Sequence, residues 1–285
     1  MKKEDYKDSE EYKTLLNYNA KSNVSEETKS KVTFNFSSID ELEKNADSIH
    51  QIMEEYSFVR ITGLISADEV EMIKKNISEG FTALGDRASL GEDPKDIQSN
   101  FCKLSIGGAQ KFGVYRPRCL RTIYNPMWED DIFGARESFR KMAQVRNVLY
   151  GFDQNFAIDE VEDGMWTASR FHQYPAGGGF LISHKDIVVP KVHEKEGYKG
   201  FYQLIMAMSK KGVDFETGGG FASIKGEKYY FEEDVEYGDI VIYDGRTVHG
   251  VDDIDPHKPF RQTSIDGRIA AFVTLYKDID KNYKV

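Results

Sequence analysis

Across residues 37–58 the apolar positions Leu42, Ala46, Ile49 and Met53 recur at helical spacing, which gathers them on one face of a helix. Ser37 or Ser38 is placed to cap its first turn. The run "SFVRITGL" then reads as a short strand, and "SADEVEMIKKNISEGFTALG" as a second helix opened by Ser66. A third helix is predicted over "DIFGARESFRKMAQVRNVLYG". After about residue 164 the period changes. "MWTASRFHQY" alternates like a strand and stops at "PAGGG", where proline and three glycines force a reversal. "FLISHKDIVV", "FYQLIMAMS", "FASIKG", "KYYFEE", "DIVIYDG", "TVHGVDDI" and "RIAAFVTLYK" follow as further short strands.

Short strands at this spacing with glycine-rich turns predict an antiparallel sandwich or barrel, and the preceding helices would cover one outer face. The fold class is therefore α+β, with a double-stranded β-helix (jelly roll) as its core. Residues 1–30 are charged and poor in apolar side chains, and read as a flexible or peripheral arm. Residues 31–285 read as a single domain whose jelly-roll core spans about 164–276.

Composition narrows the function classes. The 285 residues carry a formal charge of −10, which argues against nucleic acid as a partner. No apolar run reaches the roughly 20 residues of a membrane span, and "MKKEDYKDSEEYK" lacks the apolar stretch of a signal peptide. Two cysteines, Cys102 and Cys119, cannot build a disulfide framework or a thiolate metal site, so free thiols and a cytoplasmic location are expected.

Within "FLISHKDIVVP", His184 and Asp186 share one face of an extended strand while Lys185 takes the other. An imidazole and a carboxylate side by side make two corners of a metal site, although the tripeptide alone is common in proteins that bind nothing. His249, in "DGRTVHGVDDI", supplies a third ligand from a distant strand. Two histidines and one carboxylate on one face of a metal suit non-haem Fe(II), because three protein ligands leave three positions vacant.

Taken together, "YPAGGGFLISHKD", "TGGGFASIKG" and "VEYGDIVIYDGRTVHGV", with a basic residue on the strand after the distal histidine, resemble the Fe(II)/2-oxoglutarate-dependent dioxygenases. The likeness is greatest to the branch holding phytanoyl-CoA hydroxylase and bacterial small-molecule hydroxylases, with a weaker echo in "IMEEYSFVRITGLISADEVEMIKKN". The resemblance implies Fe(II), 2-oxoglutarate and O₂, release of succinate and CO₂, and hydroxylation of an unactivated C–H bond of a small molecule. Desaturation, cyclisation or epimerisation would use the same ligands, whereas Asp186 argues against halogenation. It also implies a buried cation for the far carboxylate of 2-oxoglutarate, and an arginine fork suits a carboxylate. Arg268 and Arg261 are the candidates. Arg268 is preferred because it shares a strand face with Ala270, Phe272, Thr274 and Tyr276, whereas Arg261 lies in a polar, proline-bearing loop.

Two rival readings stand beside this one: a cupin-type metalloenzyme without 2-oxoglutarate, and a jelly-roll binding protein without chemistry. His172 and His193 stand outside the ordered motif and are read as non-catalytic, and His50 and His257 as structural or solvated. The loop "PKVHEKEGYKG" is expected to cover the site. Arg116, Arg118 and Arg121 form a basic cluster in an acidic chain, either surface charges that pair with nearby acids or a place where at least one meets an anionic group on the substrate.

Overall fold

The computed structural model describes residues 24–87, 96–111, 114–186 and 202–277. Its helices are α1 (Glu26–Lys31), α2 (Ile39–Lys44), α3 (Ala46–Tyr56), α4 (Ala67–Gly80) and α5 (Arg136–Tyr150). Its strands are β1 (Thr33–Asn35), β2 (Phe58–Thr62), β3 (Phe101–Lys111), β4 (Val114–Tyr124), β5 (Met165–Pro175) and β6 (Gly179–His184). They continue with β7 (Tyr202–Ala207), β8 (Gly219–Ile224), β9 (Glu227–Tyr229), β10 (Ile240–Asp244), β11 (His249–Ile254) and β12 (Gly267–Lys277).

The strands form one sheet folded over on itself, in the order β1-β2-β10-β7-β12-β5-β4-β6-β11-β8-β9, with β3 on β4. From β5 onward the chain passes back and forth between two halves. One half runs β10-β7-β12-β5, the other β6-β11-β8-β9, and neighbours within each are antiparallel. That alternation is the jelly roll. β4 bridges the halves, pairing β5 through Arg121–Tyr124 and β6 through Arg118 and Cys119.

The alternation of β12 sets inside from outside. Ile269, Ala271 and Val273 face outward and pack with Ile49 and Met53 of α3, Ile73 and Ile77 of α4, and Phe139 and Met142 of α5. Ala270 and Phe272 face the barrel interior beside Ile205, Ala207, Ala222 and Val241. Each Ile, Val, Met or Phe side chain so buried contributes roughly 1.5–3 kcal/mol, which holds the helical layer on the sheet.

Ser38 caps α2 by accepting from Glu41 N at 3.2 Å, and Ser66 with Glu69 forms a capping box at α4. Two expectations are corrected. The predicted single helix over 37–58 is two, because Asn45 leaves the helical region (φ −107°, ψ 7°) and its Nδ2 donates to Glu41 O at 2.8 Å. The long β3–β4 hairpin carries no predicted strand, because lysines, arginines, glycines and Pro117 break the apolar alternation along it.

Candidate metal centre

His184 ends β6 and His249 opens β11, and the two residues are paired across the strands. Asp186 lies beyond the strand end, so it does not share a strand face with His184 as the alternation predicted. Its backbone N–H donates to Gly245 O at 2.7 Å, and this turns the carboxylate towards both rings. His184 Nε2 lies 3.7 Å from Asp186 Oδ1, and His249 Nε2 lies 3.5 Å from Asp186 Oδ2. The ring centroids are 4.3 Å apart. The three candidate ligand atoms all fall within 4.8 Å of one another.

Backbone carbonyls fix the tautomers. His184 Nδ1 is 2.8 Å from Ile182 O, and His249 Nδ1 is 3.0 Å from Thr247 O. A carbonyl can only accept, so each Nδ1 carries a proton, and in the neutral ring each Nε2 then turns a lone pair towards Asp186. Two lone pairs and a carboxylate converging on one point attract a cation, and imidazole with carboxylate suits Fe(II). The donor set fits the group.

Two further residues shape the centre that no motif indicates. Gln203 on β7 donates from Nε2 to Asp186 Oδ2 at 2.8 Å, and the ring of Tyr243 on β10 lies 4.7 Å from that of His249. They face each other across the β7–β10 ladder. Holding a carboxylate ligand in place affects metal affinity by roughly 10–100-fold. Gln203→Leu is therefore expected to weaken Fe(II) binding within that range while the melting temperature barely changes. An unaltered dissociation constant in metal titration would remove Gln203 from the site.

Arg268 is the second residue of β12 and is 2 % exposed. Its Nε donates to the buried Glu232, and its guanidinium lies over the ring of Tyr174 on β5, 5.2 Å from the centroid. Glu232 fits there because Gly219 and Gly220 lack side chains; a Cβ at Gly220 would come within 2.8 Å of Glu232 Oε1 and 2.5 Å of Phe231. That is what the "TGGG" glycines do. Gly220 pairs with Val251, two residues along β11 from His249, so this ion pair lies about 7 Å along the sheet from the histidine. Nη1 of Arg268 is buried with no hydrogen-bond partner. Glu232 uses one edge of the guanidinium fork and leaves a donor on another, which suits a second carboxylate.

Arg261 lies elsewhere. Its side chain is 67 % exposed and pairs with Asp266 at 2.8 Å, outside the barrel. Arg121 is buried outside the barrel too, donating to Gln173, Gln262 O and Ser264 O, so it ties β4 to the β11–β12 connection. Arg118 lies near the interior, close enough to help depress the pKa of His172. His50 meets the Tyr202 hydroxyl at 3.3 Å, and the exposed His257 meets Glu216 at 3.4 Å. His193, the "PKVHEKEGYKG" loop and the side chain of Arg116 lie outside the described residues.

No family model matches the chain, and no curated protein matches it. Among solved structures it is similar to a Pseudomonas putida prolyl-4-hydroxylase, at 10% identity and TM-score 0.48, covering 82% of this chain and 100% of that one. It is similar to EctD from S. alaskensis, determined with 2-oxoglutarate and 5-hydroxyectoine, at 14% identity and TM-score 0.44, covering 79% and 73%. The non-haem α-ketoglutarate-dependent epimerase SnoN from nogalamycin biosynthesis matches at 10% identity and TM-score 0.49, covering 82% and 83%.

Proposed function

We propose that this protein is an Fe(II)- and 2-oxoglutarate-dependent oxygenase that hydroxylates an unactivated C–H bond of a small molecule, releasing succinate and CO₂. The observation that carries the reading is the convergence of His184 Nε2, His249 Nε2 and Asp186, with both imidazole protons held on Nδ1 by backbone carbonyls. Iron(II) with 2-oxoglutarate supplies an oxidant able to take hydrogen from an unactivated carbon.

This chain's own residues would do the rest. The triad holds the metal on one side and leaves the opposite side to co-substrate and O₂. Arg268 would take the far carboxylate of 2-oxoglutarate, its Nη1 donor being free to do so. Ala270, Phe272, Ile205 and Ala222 give the interior an apolar wall, which would limit water beside the reacting carbon.

The test is succinate formation from 2-oxoglutarate with Fe(II) and O₂ each present or omitted. Release that requires all three is the expected result. Metal binding without any 2-oxoglutarate consumption would favour a cupin-type enzyme instead.

A further inference from the structure

The interior face of β5 carries Arg170 and His172, facing Phe272 and Ala270 of β12 in register. Arg170 Nη1 donates to Thr274 Oγ1 at 3.1 Å, and Arg170 Nε lies 3.2 Å from His172 Nε2. A guanidinium N–H can only donate, so His172 Nε2 must accept, and the ring proton is on Nδ1. Burial, with Arg170, Arg118 and Arg268 nearby, pushes the pKa of His172 well below its ordinary value, so the ring is neutral. Its Nδ1–H is buried and has no acceptor. Among the described residues no carboxylate pairs with Arg170, whereas Arg268 has Glu232, Arg60 has Asp239 and Arg246 has Asp244.

Position gives this group its meaning. Val273 of β12 pairs with Leu204 of β7, so Thr274 is level with Gln203, which holds Asp186. Arg170 reaches Thr274 from the next strand over. The cluster is thus one to two strand spacings, about 5–10 Å, from the residue that supports the metal centre. The Arg268–Glu232 pair lies further down β12, beyond Ala270. Arg146 also lacks a carboxylate, but it lies on α5 behind the sheet, bonded to Asn147 and to Thr167 of β5 and away from the barrel interior.

Arg170 is half-buried against the Phe272 ring with no carboxylate among the described residues beside it, and the buried Nδ1–H of His172 has no acceptor, so both have capacity for an anion. A single incoming group would satisfy both. It must accept several hydrogen bonds and carry negative charge. We propose that Arg170 and Thr274, with His172 as a positioning residue and second donor, bind a carboxylate on the primary substrate, beside the co-substrate and distinct from its Arg268 anchor. The substrate class is then a small organic acid oxidised at a carbon a few bonds from its carboxylate. This deepens the oxygenase reading and rests on it for the reaction, but not for the anion site.

The experiment uses the full chain loaded with Mn(II), a redox-inert stand-in, and N-oxalylglycine, which fills the 2-oxoglutarate position. Hexanoate against hexanamide, and phenylacetate against phenylacetamide, are titrated by calorimetry. At least one carboxylate is expected to bind tenfold or more tighter than its amide. Arg170→Met should erase that preference, leave N-oxalylglycine affinity within about twofold, and leave the amide unaffected. His172→Phe should reduce the carboxylate preference without changing amide binding, an effect that general loosening of the barrel would not produce. Arg261→Met should change nothing. Equal affinity of the wild type for both members of each pair would overturn the proposal. So would a tenfold loss of N-oxalylglycine affinity in Arg170→Met, which would make Arg170 part of the co-substrate anchor. If the protein takes up no metal or N-oxalylglycine, the oxygenase reading fails, and the carboxylate preference of the unloaded chain still decides the anion site.

Discussion

His249→Ala is expected to abolish both stoichiometric Fe(II) binding and 2-oxoglutarate turnover while leaving the fold nearly intact. The loss of a residue that merely orients a ligand costs roughly 10–100-fold, so removal of one of three direct ligands should exceed that range. The fold should survive because β11 is held by backbone pairing to β6 and β8, which does not use the imidazole. The ring of Tyr243 loses a neighbour, a modest packing loss at the end of a strand. Iron analysis of the purified variant, beside its circular dichroism and melting curve, checks both parts. Wild-type iron content and turnover in His249→Ala would refute the triad.

The legible parts of this molecule are those where local chemistry and tertiary structure agree. The period-two pattern of "RIAAFVTLY" put Ile269, Ala271 and Val273 outside and Ala270 and Phe272 inside, as the packing shows, because one face of β12 meets helices and the other meets the barrel. Ser38 and Ser66 announced their helices through side-chain oxygens that serve the first turn. The β3–β4 hairpin was illegible for the opposite reason: its charged and small residues carry no one-sided apolar stripe.

The candidate site divides in the same way. His184, Asp186 and His249 are visible because two stand close in sequence and the third sits in a recognisable strand context. Asp186 nonetheless reaches the site from beyond the strand, through a backbone bond to Gly245 that no alternation encodes. Gln203 and Glu232 are ordinary polar residues whose roles come from partners far along the chain, Asp186 and Arg268. Arg170 and His172 did leave a trace, since both fall on one face of "SRFHQY", but nothing in that pattern says the face is the barrel interior.

The second large effect is expected at Arg268. Its guanidinium is buried, and a charge there is tolerated only with an anion at hand. Glu232 provides one anion through Nε, and the unpartnered Nη1 shows that the fork has capacity for another. Arg268→Ala should therefore weaken 2-oxoglutarate binding by about 2–5 kcal/mol, which is roughly thirtyfold to a few thousandfold. The same change strands Glu232 in the interior and should lower the melting temperature, since an orphaned buried charge costs on the order of 3–5 kcal/mol. Two variants separate the effects. Arg268→Lys keeps a charge against Glu232 but has no planar fork, so it should fold well and still lose 2-oxoglutarate affinity. Glu232→Gln removes the competing carboxylate and should leave 2-oxoglutarate binding as tight as in the wild type or tighter. Arg261→Ala, on an exposed side chain paired with Asp266, should leave the Michaelis constant for 2-oxoglutarate where it was. If Arg268→Lys binds 2-oxoglutarate normally and Arg261→Ala does not, the anchor lies in the loop and the interior ion pair is only a structural element of the barrel.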